Sequence, residues 1–139
     1  MSCYKEIYEK EYQEGKAREQ SSLEILQEKL NLPNLQSSKN RYSRFDFFDD
    51  ISNTLVEYRS RNCLSTDYET TMIPKCKFDY AKSVRQDCKI VIQFKDKMLL
   101  LNVDKRREYK AEYGGRNNRM KNEFRKKYVY IPLNELIEI

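Results

Sequence analysis

The chain predicts one α/β (α+β) domain with a central mixed β-sheet flanked by helices. Three observations carry that prediction. An apolar stripe with helical spacing occupies the first 31 residues, and alternating strand-like runs follow from residue 41. Two strongly apolar runs, residues 89–94 and 98–103, are joined by a short polar turn. A length of 139 residues suits one domain with a modest core.

The first element is a helix over residues 3–31. Tyr4, Tyr8, Tyr12, Gly15, Glu19, Leu23, Leu26 and Leu30 recur at spacings of three and four, which places them on one face. The pattern stops at Asn31-Leu32-Pro33-Asn34, a helix terminus in composition. Glu19 interrupts the stripe. A lone buried carboxylate costs roughly several kcal/mol, so Glu19 meets a base, a metal or a wet cleft, unless the stripe surfaces at Gly15.

Residues 41–48 alternate as a strand, with Tyr42, Arg44, Asp46 and Phe48 on one face and Ser43, Phe45 and Phe47 on the other. Asp49-Asp50-Ile51-Ser52-Asn53 supplies a turn. Residues 54–59 form the next strand, with Leu55, Glu57 and Arg59 on one face and Thr54, Val56 and Tyr58 on the other. A hairpin centred near Ile51 and Ser52 sets Asp46 opposite Glu57. Opposed Cβ atoms lie roughly 4.5–5.5 Å apart, and like charges there repel. A divalent cation would turn the same pair into a binding site, because hard cations prefer oxygen ligands.

Residues 68–74 read as irregular and polar. Residues 75–86 suit a helix, with Phe78, Ala81, Lys82 and Arg85 along one side. The run Lys89-Ile90-Val91-Ile92-Gln93-Phe94 is a central strand, and residues 98–103 form a second apolar strand. Residues 128–131 form a last strand, and residues 132–137 close as a helical turn or tail. The expected organisation is a helix over 1–31, a core sheet and helix over 41–104, a basic insert over 105–127, and a final strand and tail over 128–139.

Composition narrows the chemistry. Charged residues make up 35% of the chain, which demands a strongly polar surface. With only three Gly and three Pro, it is not a disordered or low-complexity chain. No apolar run approaches the ~18 residues of a membrane span, and the first residues do not read as a signal peptide. An intracellular setting is therefore expected, not secretion. Cys3, Cys63, Cys76 and Cys88 form no Cys-x-x-Cys pair and there is no His. Zinc sites of the Cys/His kind are not expected, and four reduced thiols are. Without His, the Ser-His and Cys-His nucleophilic machineries are excluded. Catalysis would have to run on carboxylates, Lys, Arg, Tyr or a metal held by oxygens.

Net charge is +5, unevenly spread. Residues 105–127 carry ten bases against three acids. Such a segment suits a polyanion such as nucleic acid, or else forms a solvated loop or helix face.

The order of helix, strand with Asp46, strand with Glu57-Tyr58-Arg59, helix and strand resembles the PD-(D/E)XK nuclease superfamily over roughly residues 15–104. The local runs Gly15-Lys16-Ala17-Arg18-Glu19, Arg41 to Phe47, Glu57-Tyr58-Arg59-Ser60-Arg61 and Tyr68-Glu69-Thr70-Thr71-Met72-Ile73 look like a small endonuclease-like group of large DNA viruses and phages. The resemblance implies a restriction-endonuclease-like fold and metal-dependent hydrolysis of DNA phosphodiesters with Mg²⁺ or Mn²⁺. It makes Asp46 and Glu57 metal ligands and catalytic residues, and Glu19 an accessory ligand. Arg59 takes the catalytic lysine position, and Arg41, Arg44, Arg61, Lys75 and Lys77 contact phosphates. DNA is the implied partner, with a homodimer and viral structural subunits left open, and no membrane is involved.

Two departures stand out. The first acid lies in Phe-Asp-Phe rather than Pro-Asp, and Arg59 replaces Lys. Arg remains protonated and cannot act as a base. It can stabilise developing negative charge, or it can pair with Asp46 or Glu57 in place of a metal. The second outcome corresponds to an inactive nuclease-fold protein serving as a minor capsid or virion component or as a DNA-binding module.

Overall fold

The computed structural model describes residues 20–38, 44–114 and 126–139. The N-terminal helix, α1, is described over residues 20–29. It buries Leu23 and Leu26, two members of the predicted stripe. Asn31 ends it in the left-handed region at φ 54°. The Leu32 amide donates to the Gln27 carbonyl at 2.9 Å and the Asn31 amide to Glu28 at 3.2 Å. That is a Schellman closure, with Asn in the position that tolerates positive φ. Leu32 and Leu35 then fold back under α1 and are buried. The stripe's earlier residues, Tyr4 to Glu19, lie outside the described residues.

A six-stranded sheet runs β1-β2-β3-β5-β6-β9 across its width. Its strands are β1 (Gln36–Ser37), β2 (Phe47–Asp49), β3 (Thr54–Ser60), β5 (Asp87–Gln93), β6 (Met98–Asn102) and β9 (Ile137–Glu138). The sheet is mixed. β3 and β5 run parallel from Thr54↔Asp87 to Ser60↔Gln93, and the other pairings are antiparallel. The crossover between β3 and β5 carries β4 (Thr70–Pro74) and α2 (Lys75–Ser83). A second sheet has the order β4-β8-β7, with β7 Ala111–Gly114 and β8 Lys126–Pro132. A 3-10 turn, Leu133–Glu135, leads from β8 to β9.

The two faces of the large sheet bury different partners. Val56, Val91, Met98 and Leu100 pack with Leu23, Leu26, Leu32 and Leu35 on the α1 side. Ile90, Ile92, Leu99 and Leu101 pack with Phe78 and Ala81 of α2 and with Ile73, Val129 and Ile131 of the second sheet. Each such aliphatic side chain contributes roughly 1.5–3 kcal/mol on burial. The alternation Ile90, Val91, Ile92 thus feeds two cores from one strand, as expected of a strand covered on both faces.

The predicted hairpin is present in the expected register, with Phe47↔Val56, Phe48↔Leu55 and Asp49↔Thr54. Asp49 is buried and holds the turn. Its Oδ1 accepts the Ile51 amide at 2.9 Å and its Oδ2 the Ser52 hydroxyl at 2.8 Å. Asn53 takes the left-handed position at φ 55°.

Four expectations change. The strand expected over residues 41–48 is regular only at Phe47–Asp49, because residues 44–46 bend. Phe45 therefore enters the α2-side core and Phe47 the α1-side core, rather than sharing a face. Residues 39–43 lie outside the described residues. Residues 68–74 are not irregular throughout: Thr70–Pro74 is β4, paired with β8 from Thr70↔Pro132 to Pro74↔Tyr128. Its threonines look polar in sequence, yet Thr71 and Ile73 are buried together. The helix expected over 75–86 stops at Ser83, leaving Arg85 exposed beyond its end. The basic insert contains an edge strand, β7, which pairs with β8 through Glu112↔Tyr128. Residues 115–125 lie outside the described residues. Among the described residues, no helix is long and apolar enough to cross a membrane.

Candidate active site

Glu57 sits in the middle of β3 and faces the α2 side of the sheet. It is 2% exposed, a carboxylate at a position its alternation shares with Leu55. Asp46 lies just beyond the end of the β2–β3 ladder. The Tyr58 amide finds no β2 strand partner there, and Asp46 Oδ2 accepts it at 3.0 Å. The backbone around Asp46 is tied to β1. The Ser38 amide donates to the Asp46 carbonyl at 2.9 Å and the Ser38 hydroxyl to the Phe45 carbonyl at 2.8 Å. The hairpin register thus carries Asp46 to Glu57, close enough for the charge of one carboxyl group to act on the other.

Two cations converge on the same carboxylate. Arg59 Nε lies 3.0 Å from Glu57 Oε2. Its N–H does not aim along that line, so this buried donor makes an ion pair without a hydrogen bond. Lys77 reaches down from the first turn of α2, with Nζ 3.5 Å from Glu57 Oε1. The same ammonium donates to the Arg44 carbonyl and lies 5.9 Å from the Phe45 ring centroid.

The Glu57 carboxyl is pushed from its ordinary value of 4.5 up to about 7. Burial is the largest cause and the Asp46 charge the next. Lys77 and Arg59 pull the other way without cancelling them. A buried carboxyl that resists ionising beside a second acid marks a place where positive charge is still favourable.

The structure brings together Asp46, Glu57, Arg59 and Lys77. Lys75 turns away and pairs with Asp79 at 2.6 Å. Arg44 places its guanidinium 5.4 Å from the Tyr80 ring centroid. Arg61 donates through Nη2 to the Met72 carbonyl at 2.7 Å. Glu19 and Arg41 lie outside the described residues. Sequence reasoning grouped Lys77 with the phosphate contacts and missed its approach to Glu57. Nothing local in the sequence signals that approach, since it depends on how the crossover docks α2.

Over residues 8–139 the chain matches the family described as "Phage putative PDDEXK endonuclease". The chain belongs to that family. No curated protein matches it. The mixed sheet with α1 on one face and α2 on the other is consistent with the restriction-endonuclease-like fold of a PD-(D/E)XK protein. The residues expected from the sequence to be its Asp and Glu-x-base elements, Asp46 and Glu57-Tyr58-Arg59, lie beside each other, and a lysine of α2, Lys77, lies 3.5 Å from Glu57.

The donor set suits a hard divalent cation. Asp46 and Glu57 present oxygen only, as Mg²⁺ and Mn²⁺ prefer. Among the described residues no third His, Cys, Asp or Glu joins them, and the remaining expected ligand, Glu19, lies outside those residues. Cys63, Cys76 and Cys88 are free thiols away from this donor pair.

Proposed function

We propose that this chain is a divalent-metal-dependent DNA endonuclease that hydrolyses phosphodiester bonds at the Asp46 and Glu57 carboxylates. The observation that carries the proposal is the buried Glu57 carboxyl, paired with Asp46 and approached by both Arg59 and Lys77.

Asp46 and Glu57 would hold Mg²⁺ or Mn²⁺, which when bound polarises the scissile phosphate and lowers the pKa of a coordinated water. Asp46 is oriented for this by the Tyr58 amide, which occupies one of its oxygens and leaves the other as a ligand. Arg59 stays cationic and cannot take a proton, so its role is to stabilise charge that builds on the phosphate. Its Nε–H, buried beside Glu57 without a hydrogen bond, holds the guanidinium against the carboxylates, and the side chain as a whole remains partly exposed for a phosphate oxygen. Lys77 has three N–H donors, two of which engage Glu57 and the Arg44 carbonyl. The third is left for the phosphate or the attacking water. In this reading the lysine missing from β3 is replaced by one from α2. Arg41, Arg44, Arg61 and Lys75 contribute flanking positive charge for the DNA backbone.

Circular and linear DNA incubated with Mg²⁺ or Mn²⁺ tests the reading, with EDTA and Asp46→Ala as controls. Nicking that needs the metal and is lost in Asp46→Ala is the expected outcome. Cleavage that survives Asp46→Ala unchanged would remove Asp46 from the site. Absence of cleavage with every metal would leave the nuclease fold in a binding or assembly role.

A further inference from the structure

A second feature lies farther along β3. Glu57, Arg59 and Arg61 alternate along the strand, and the Arg61 amide donates to the Gln93 carbonyl at 2.9 Å. The extended course therefore continues past Ser60, and Arg61 falls on the same face as Glu57, roughly 13 Å on at strand rise. There it borders a cavity of about 610 Å³, whose walls include Arg61, Tyr68, Met72, Phe94, Tyr128 and Tyr130. Its size is within the roughly 300–1,000 Å³ of small-molecule sites.

The walls are aromatic for a structural reason. On β8, Val129 and Ile131 enter the core, so Tyr128 and Tyr130 stand together on the other face. Gly114 of β7 gives them room. A Cβ there would lie 2.8 Å from the Tyr130 hydroxyl and 3.5 Å from the Tyr128 ring. Tyr68 is 69% exposed, a large ring left at the surface. Phe94 is buried behind them. Charge at the cavity is positive. Among the described residues no carboxylate pairs with Arg61, which has the Met72 carbonyl as its acceptor. On the tyrosine face of β8 Lys126 is exposed, and Glu112, opposite Tyr128, is paired with Lys110 at 2.8 Å.

Resting on the nuclease reading above, we propose that this cavity is a nucleobase subsite that holds an unpaired base of the DNA strand, with the adjoining phosphate on Arg61. Tyrosine rings offer π-faces on which any base can stack, and the guanidinium supplies the anion contact beside them. The row Glu57, Arg59, Arg61 leads along one strand face from the carboxylates to the cavity's edge. A duplex keeps its bases stacked on each other, so single-stranded or locally unpaired DNA is the substrate class that fills it.

The test is binding without chemistry. A thymidine oligonucleotide carrying one 2-aminopurine is titrated with the full chain in EDTA, reading anisotropy and fluorescence quenching against the same sequence as a duplex. The expected result is tighter binding of the single strand, with quenching. Tyr128→Leu should weaken the single strand by roughly five- to a hundredfold, the range of one lost base stack, and leave the duplex unchanged. Tyr68→Ala, at an exposed position that cannot disturb the core, should weaken it in the same direction. Equal affinity for single strand and duplex, or tyrosine variants that bind the single strand like the parent, would overturn the subsite. Because no cleavage is measured, this failure is separate from failure of the nuclease reading. A chain that cuts DNA but shows no strand preference loses only the subsite.

Discussion

Lys77 of α2 approaches Glu57 of β3 to 3.5 Å, although twenty residues separate them in the chain. β3 and β5 run parallel, so the chain must cross back over the sheet, and α2 is part of that crossover. Phe78 and Ala81 anchor the helix in the core. With those two side chains pointing down, Lys77 at the N-terminal turn is aimed at the strand below. The contact is thus a product of crossover geometry, and it brings to Glu57 an ammonium that β3, with Arg59, does not carry.

Replacing Lys77 by Met should cut single-turnover cleavage by about 10²–10³-fold, the usual cost of one preorganised donor. The fold should persist, since the Lys77 side chain is 22% exposed and makes no core contact that Met cannot make. Circular dichroism checks the fold and single-turnover kinetics the rate. A variant that cuts at the parental rate would remove Lys77 from the chemistry.

Arg59 gives a graded expectation. Arg59→Ala should lower cleavage by roughly ten- to a hundredfold through loss of charge stabilisation. Arg59→Lys should retain most activity, because an ammonium at that position still faces Glu57. Stability should change little in the Lys variant, since the Arg59 Nε–H makes no hydrogen bond to lose. If Arg59→Lys neither cleaves nor binds Mn²⁺ in a calorimetric titration, charge at this position is not what the site requires.

The raised Glu57 carboxyl predicts a pH dependence. Its folded value is about 7 against an ordinary 4.5. Between those values the folded chain holds a proton that the unfolded chain has released. Metal-free stability therefore falls as pH rises from about 4.5 through about 7, by at most a few kcal/mol in order of magnitude. A cation bound by the ionised pair replaces that proton, so added Mg²⁺ should raise the melting temperature more at pH 8 than at pH 5. Glu57→Gln should remove both effects. Thermal melts of parent and variant at the two pH values, with and without Mg²⁺, make the comparison, and identical pH profiles would contradict the assignment.

The hairpin that sets the register has its own test. Asp49→Ala removes acceptors for the Ile51 amide and the Ser52 hydroxyl. The expected loss is about 1–2 kcal/mol, typical of a lost charge-assisted turn contact. Because Asp46 owes its place to this register, cleavage should fall with stability, as urea titration and the nicking assay would show together.

Several features were legible in the sequence because their causes are local. The alternation of residues 54–59 and the turn residues Asp49 and Asn53 were enough to set Asp46 opposite Glu57, since hairpin register follows from loop position and a two-residue period. The apolar runs containing Ile90 and Leu100 announced central strands by composition alone. Asn31 marked the helix end through its tolerance of positive φ.

Other features were decided by tertiary structure. Thr70–Pro74 looked polar and irregular, yet it becomes a strand because β8, far along the chain, supplies its hydrogen bonds. Ala111–Gly114 looked like a basic insert and joins the same sheet as an edge. Phe45 and Phe47 share a face only if the strand is straight, and a bend at residues 44–46 sends them to opposite cores. The sequence by itself determined which acids face each other, because neighbouring strands pair by period. Only the tertiary structure decided which cations reach them. Lys77 is brought to Glu57 by a crossover, and the energy that places it there is burial of side chains other than its own.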